Sequence, residues 1–214
     1  MRLAELSRRS GVSTATIKYY LREGLLPPGR QLNTTTAEYD AEHLRRLQLV
    51  RAMIQVGGLP VATVREVLGH VDDDSLGRTL RMGAALWALP QVPEPDEDDA
   101  FVRAAHQEAG ALLETLGWFN AKLLTTVSPA YRSLVVAVAA FRRLGYDWDA
   151  ELLVSYAKLM HEAARLDLDN VETYPSEAEK VETAVLSAVL VEPMLHALHR
   201  LAQEEESARR YGFE

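Results

Sequence analysis

Between Ser13 and Arg22 the chain interleaves hydroxyls, aromatics and cations with two apolar residues spaced four apart, Ile17 and Leu21. If that segment is helical, Ile17 and Leu21 turn inward and leave Thr14, Thr16, Lys18 and one or both of Tyr19 and Tyr20 facing outward. These are groups that donate hydrogen bonds to phosphate oxygens and base edges. Arg8, Arg9, Arg22 and Arg30 add positive charge to the same region, where the alternative is an ordinary solvated surface. Tyr20 lies three residues from Ile17, which also suits it to a small core.

Two further sets of chemistry-bearing residues lie towards the C-terminus. Trp118, Tyr131, Trp148 and Tyr156, together with Phe119, Phe141, Tyr146 and Tyr174, suit the wall of a pocket for an apolar or aromatic effector, oriented by His161 or Glu162. An ordinary helical core would use the same aromatics. Glu192, His196 and His199 fall on one helix face, as a carboxylate and two imidazoles that suit zinc. No fourth ligand accompanies them, and a wet helix face explains them equally well, so no metal or other cofactor is expected.

Catalysis finds little support. The chain has no cysteine, which excludes thiolate metal sites, disulfides and cysteine nucleophiles. It has no phosphate loop, dinucleotide fingerprint or nucleophile elbow either, so it is not expected to be an enzyme.

Punctuation residues define the elements that hold the first set. A helix over Arg2–Arg9 stops at Ser10-Gly11, where glycine accepts the left-handed conformation that ends a helix. Ser13 and Thr14 cap a second helix, Thr14–Glu23, which ends in Gly24-Leu25-Leu26-Pro27-Pro28. Helix, glycine turn, capped helix is the helix-turn-helix pattern, whose second helix enters the DNA major groove. The polar, β-branched stretch Gly29–Tyr39 reads as a hairpin wing. Asp40 then caps a third helix with Leu44, Leu47, Val50 and Ile54 inward and Arg45, Arg46 and Arg51 outward. It ends at Gly57-Gly58, and Pro60 opens a fourth helix packed through Val61, Val64 and Leu68.

The charge distribution divides the chain. Its 214 residues carry a formal net charge of -8, yet residues 1 to 70 hold 10 Lys+Arg against 6 Asp+Glu, a net +4 that leaves -12 on the remainder. A basic head therefore sits on an acidic body. A connecting helix with Leu76, Leu80, Gly83 and Trp87 on one face and an acidic, proline-rich linker over Pro90–Asp99 occupy residues 71 to 100. Beyond it, an all-helical domain of residues 101 to 214 is expected, with helices near 100–127, 129–144, 148–167 and 176–209. The apolar run Leu134–Phe141 predicts a central helix covered on all sides and, being far shorter than the ~18 residues that span a bilayer, suggests a soluble, cytoplasmic chain. The last helix bears two apolar faces, one of which suits a partner subunit.

Leu3-Ala4-Glu5-Leu6, Gly11-Val12-Ser13, Thr16-Ile17-Lys18-Tyr19-Tyr20, Gly24-Leu25-Leu26-Pro27-Pro28, Tyr39-Asp40 and Gly57-Gly58-Leu59, in that order, resemble the DNA-binding domain of the MerR family of bacterial transcription regulators. The resemblance covers roughly residues 1 to 70 and implies a mainly α fold with an N-terminal winged helix-turn-helix. It also implies a homodimer that binds an inverted repeat in double-stranded promoter DNA and bends or untwists it, at ~1 to 6 kcal/mol. Ser13, Thr14, Thr16, Lys18, Tyr19, Tyr20, Arg22, Arg30 and Tyr39 are the candidate DNA contacts. Where many relatives have Gly-Tyr-Arg in the wing, this chain has Thr35-Thr36-Ala37, so that arginine phosphate contact is missing. The short connecting helix also shifts dimerisation, at least in part, to the helical domain, as in TetR-type regulators by analogy of architecture. The expected function is an effector-modulated regulator. The alternative is a DNA-tethered module whose acidic helical body binds a protein partner, RNA polymerase being one candidate.

Overall fold

The computed structural model describes residues 1–33, 36–146 and 150–212, and these are mainly helical with one two-stranded sheet. Two compact units form, one from Met1–Ala88 with Val171–Glu214 and the other from Leu89–Asn170.

In the first unit α1 (Leu3–Ser10) ends on Gly11 in the left-handed conformation, at φ 67°, and α2 (Thr14–Arg22) starts where the Ser13 side chain accepts from the Thr16 amide. Strands β1 (Arg30–Asn33) and β2 (Thr36–Glu38) pair antiparallel, with Arg30 opposite Glu38. Then α3 (Ala41–Arg51) runs into a π-helical segment, Ala52–Val56, before α4 (Val61–Val71) and α5 (Arg78–Trp87). Leu6, Ile17, Leu25, Leu47, Met53, Val64 and Val67 are fully buried and bind these elements into one core.

Asp40 caps the start of α3: its carboxylate accepts from the Glu42 and His43 amides and lies 2.7 Å from the His43 Nδ1. The His43 side-chain hydrogen bond, followed by these amides, holds the Asp40 carboxyl below its ordinary value. Asp40→Ala is expected to cost about 0.5–2 kcal/mol at neutral pH, read from urea unfolding. Because the native value is depressed, this contribution is present above the ordinary aspartate range and fades as pH falls through the native one. An equal cost at neutral and strongly acidic pH would refute the role.

The burial pattern corrects three sequence expectations. Arg46 is buried, not outward, because it pairs with Asp72 of the turn after α4 and lies 3.8 Å from Glu182. On α5 the expected stripe is displaced: Leu80 and Trp87 face solvent, while Arg81 and Ala85 are buried. Arg81 donates to the Val71 carbonyl and pairs with Asp74 at 2.9 Å, which closes the α4–α5 turn. The run Leu134–Phe141 is covered on one face only, with Val135, Val138 and Ala139 buried and Ala137 and Phe141 exposed.

The second unit holds α6 (Ala100–Leu116), the short α7 (Phe119–Leu123), α8 (Pro129–Arg143) and most of α9 (Ala150–Glu172). Its core joins α6 and α8 through Val102, Ala105, Ala109, Val135, Val138 and Ala139, with Tyr131 and Leu134 against it. Leu159, Met160, Leu166 and Leu168 of α9 are exposed.

The last helix, α10 (Glu177–Tyr211), returns to the first unit. Val181, Ala184, Val185 and Val189 bury its first half against α5, α4 and the π segment. Beyond Pro193, which the helix carries inside it, Met194, Leu198 and Leu201 face outward. An 18-residue window of α10 is apolar and uncharged enough to cross a membrane by length and composition, 28% of it buried in the fold. Three acids, Glu179, Glu182 and Asp72, face Arg45 and Arg46 where α10 meets α3. Burial raises the Glu182 carboxyl above its ordinary value, outweighing the two arginines that pull it down.

Candidate nucleic-acid interface

The α1–turn–α2 pair presents one polar face. Ser13, Thr14 and Lys18 are exposed and Thr16 is half-buried, its hydroxyl 2.8 Å from that of Ser13. Ser13 therefore serves as helix cap and as a hydroxyl at the N-terminal end of α2, where free amides and the helix dipole favour phosphate. No carboxylate lies within ion-pair distance of Arg8, Arg9 or Lys18 among the described residues, which leaves these cations open to an anionic partner.

Arg22 lies over the Tyr19 ring, 5.3 Å from its centroid, which fixes both at the C-terminal end of α2. In the wing, Arg30 is exposed and pairs with Glu38 across the two strands. Its charge is thus partly neutralised until a phosphate competes for it. The Arg30 hydrogen bond, then its charge, holds the half-exposed Glu38 carboxyl below its ordinary range.

Two candidate contacts prove to be core. Tyr20 is 5% exposed and Tyr39 6% exposed, so neither ring is offered to a ligand. Tyr20 occupies the inner face beside Ile17, and burial pushes its hydroxyl above the ordinary tyrosine value. Tyr39 is held edge-on to His43 at 5.1 Å, with its carbonyl accepting from the Met1 amino group. Of the altered wing Thr35-Thr36-Ala37, Thr35 lies outside the described residues, while Thr36 and Ala37 belong to β2.

Two residues absent from the sequence-based set brace the interface. Arg51 of α3 donates to the Ser10 carbonyl at 2.9 Å, across the turn that separates α1 from α2. Arg65 of α4 donates to the Glu23 carbonyl at 2.8 Å and pairs with its carboxylate at 2.6 Å, which pins the end of α2. Both are basic residues that sequence spacing cannot separate from solvated surface, since their partners lie about 40 residues away.

The C-terminal aromatics do not converge. Trp118 and His161 approach with ring centroids 5.9 Å apart, Tyr131 stands beside His106, Tyr156 is exposed, and Trp148 lies outside the described residues. Phe119 and Tyr146, also expected to line a pocket, face solvent. Glu192, His196 and His199 do not form a cluster able to hold a metal among the described residues, and Arg200 donates to the His196 ring at 2.9 Å.

Comparison with known proteins points in the same direction as this geometry. Residues 1–70 match the family model described as MerR HTH family regulatory protein. The HTH-type transcriptional regulator AdhR of Bacillus subtilis (strain 168) is 30% identical over 57 residues, 27% of this chain and 41% of that protein. The HTH-type transcriptional regulator ZntR homolog of Haemophilus influenzae is 34% identical over 50 residues, 23% of this chain and 37% of that protein. The matches thus span about two fifths of the length of these curated relatives. A crystal structure of a candidate transcriptional regulator from Streptomyces coelicolor A3(2) is 70% identical, covers 100% of this chain and 99% of that one, and superposes with a TM-score of 0.88. With a wing and a capped recognition helix built from the residues that match, the chain belongs to the MerR helix-turn-helix family of transcription regulators.

Proposed function

We propose that this regulator acts as a cytoplasmic homodimer on an inverted repeat in double-stranded DNA, and that a small-molecule effector bound by its helical region modulates it. The observation that carries the DNA reading is the face of α2: hydroxyls at its capped start, unpaired Lys18 in its middle and Arg22 stacked on Tyr19 at its end. The contacting set is Ser13, Thr14, Thr16, Lys18, Tyr19, Arg22 and Arg30, without the buried Tyr20 and Tyr39. Pairing of two chains is supported by apolar side chains that each unit leaves uncovered, Leu198 and Leu201 on α10 and Leu159 and Leu166 on α9. The proposed division is a head over residues 1–70, a connector over 71–100 and an effector and dimerisation region beyond, with α10 also framing the head.

Selection of bound duplexes from a random DNA pool at about physiological salt tests this, because sequence-independent contacts weaken there and base-specific ones survive. Enrichment of one inverted repeat is the expected result. On that site Lys18→Ala is expected to lower the salt slope by about one and weaken all sequences alike, whereas Thr16→Ala changes base preference by about 1–3 kcal/mol at one position. Unchanged affinity in both variants would remove α2 from the interface. A pool with no enriched repeat would favour a DNA-tethered module that binds a protein partner through the exposed apolar faces.

A further inference from the structure

The second unit contains a cleft of 440 Å³ that coincides with only one residue of the expected aromatic pocket, Tyr131. Its walls come from three places: Glu94 and Glu97 on the segment before α6, His106 on α6, and Thr126, Tyr131 and Arg132 around the start of α8. The size lies at the lower end of the range for small-molecule sites.

The lining chemistry differs from that of an apolar pocket. The His106 ring approaches the Glu97 carboxylate at 3.2 Å, and its other nitrogen lies 3.3 Å from the Tyr131 hydroxyl. Arg132, the one guanidinium in the wall, is engaged by Glu94 at 3.4 Å. Burial and then the Glu97 charge raise the Tyr131 hydroxyl above its ordinary value, so it remains a neutral donor with an intact aromatic face. The wall thus sets two carboxylates, Glu94 and Glu97, against one guanidinium, Arg132. The surrounding unit strengthens this field, since Leu89–Asn170 holds 13 Asp+Glu against 7 Lys+Arg.

We infer that this cleft is a binding site for a small hydrophilic organic cation bearing a primary ammonium. The ammonium would be held by Glu97 and Glu94, with the Tyr131 ring as one wall. An ammonium presents three donors, which matches a carboxylate pair, and it is attracted to an aromatic face. An ammonium would share Glu94 with Arg132 and Glu97 with His106, whereas an anion would have to displace Glu94 from Arg132 and would still face Glu97. The assignment rests on the effector-modulated reading and gives that effector a location and a charge.

Calorimetric titration of the full chain with putrescine at fixed ionic strength tests it, with 1,4-butanediol and succinate as neutral and anionic probes of the same length. The expected result is saturable 1:1 binding of putrescine per chain, at least tenfold tighter than either control. It should weaken at least tenfold in Glu94→Gln/Glu97→Gln, whose exposed side chains leave the fold intact. Tyr131→Leu keeps the core contact and is expected to weaken binding as well. Absence of saturable putrescine binding, equal binding of the controls, or unchanged affinity in the double variant would each overturn the site. Operator binding is measured separately. If putrescine fails to bind while one DNA repeat is still selected, the cleft assignment falls alone. If putrescine binds through Glu94 and Glu97 and leaves operator affinity unchanged, the site stands and its role as effector site falls.

Discussion

Leu47→Ala is expected to destabilise the first unit by about 2–5 kcal/mol, the range for truncating a fully buried leucine whose surroundings cannot close over the void. Leu47 is 0% exposed on α3, in the core it shares with Leu6, Ile17 and Met53. Denaturant-dependent hydrogen exchange separates this effect from the rest of the chain: amides of α1 to α4 lose protection, while those of α6 and α8 keep theirs. Leu80→Ala is the matched control. Its side chain is 65% exposed on α5, and removing it is expected to cost less than about 0.5 kcal/mol. Equal costs at the two positions would contradict the burial pattern. A large cost at Leu80 alone would show that a partner covers that face of α5.

These two leucines also show what the sequence made legible. Several helix limits were readable because their signals are local: Gly11 ends α1, Ser13 caps α2, Asp40 caps α3, and Ser128 and Ser176 cap α8 and α10. Each cap requires only a side chain and an amide within three residues. The single helix expected near 100–127 instead ends at Leu116, where Gly117 turns left-handed at φ 68° before the short α7. The polar face of α2 was legible for the same reason, since Ile17 alone fixes which way the helix turns. Burial on α5 was not legible, because α4 and α10 set it and α10 begins about 90 residues later. Helical spacing selected Leu76, Leu80, Gly83 and Trp87, yet the contact face is displaced from that stripe and runs through Arg81 and Ala85. An arginine counted as buried only once Asp74 and the Val71 carbonyl had supplied its partners. Arg46 follows the same logic through Asp72 and Glu182. Among the site residues, Tyr20 and Tyr39 were misplaced because an amphipathic ring fits either a small core or a DNA surface, and tertiary packing decides between them.

Gly57→Val carries the second large effect, and it tests how far the head extends along the chain. The family match ends at residue 70, yet Val189 of α10 presses on the glycine that closes the π segment. The backbone at Gly57 is ordinary right-handed helix, φ -72° and ψ -14°, so any side chain is compatible with its conformation and only space opposes one. A β-carbon there would lie 2.7 Å from the Val189 Cγ1 and 2.8 Å from the Met53 carbonyl oxygen. The first contact can be relieved by moving α10. The second cannot, because that carbonyl already accepts from the Leu59 amide at 3.0 Å and belongs to the segment's own backbone. Overpacking of this kind costs about 1–3 kcal/mol. The expected readout is a loss of exchange protection over residues 181–189 of α10, with α6 and α8 unchanged. Val189→Ala in the Gly57→Val background is expected to restore part of the loss, since it removes one of the two clashes and leaves the other. Full protection of residues 181–189 in Gly57→Val would mean that α10 is not seated on the π segment. Loss of protection, accompanied by weaker operator binding, would show that the fold of the DNA-binding head is completed by a helix more than 100 residues beyond the matched domain.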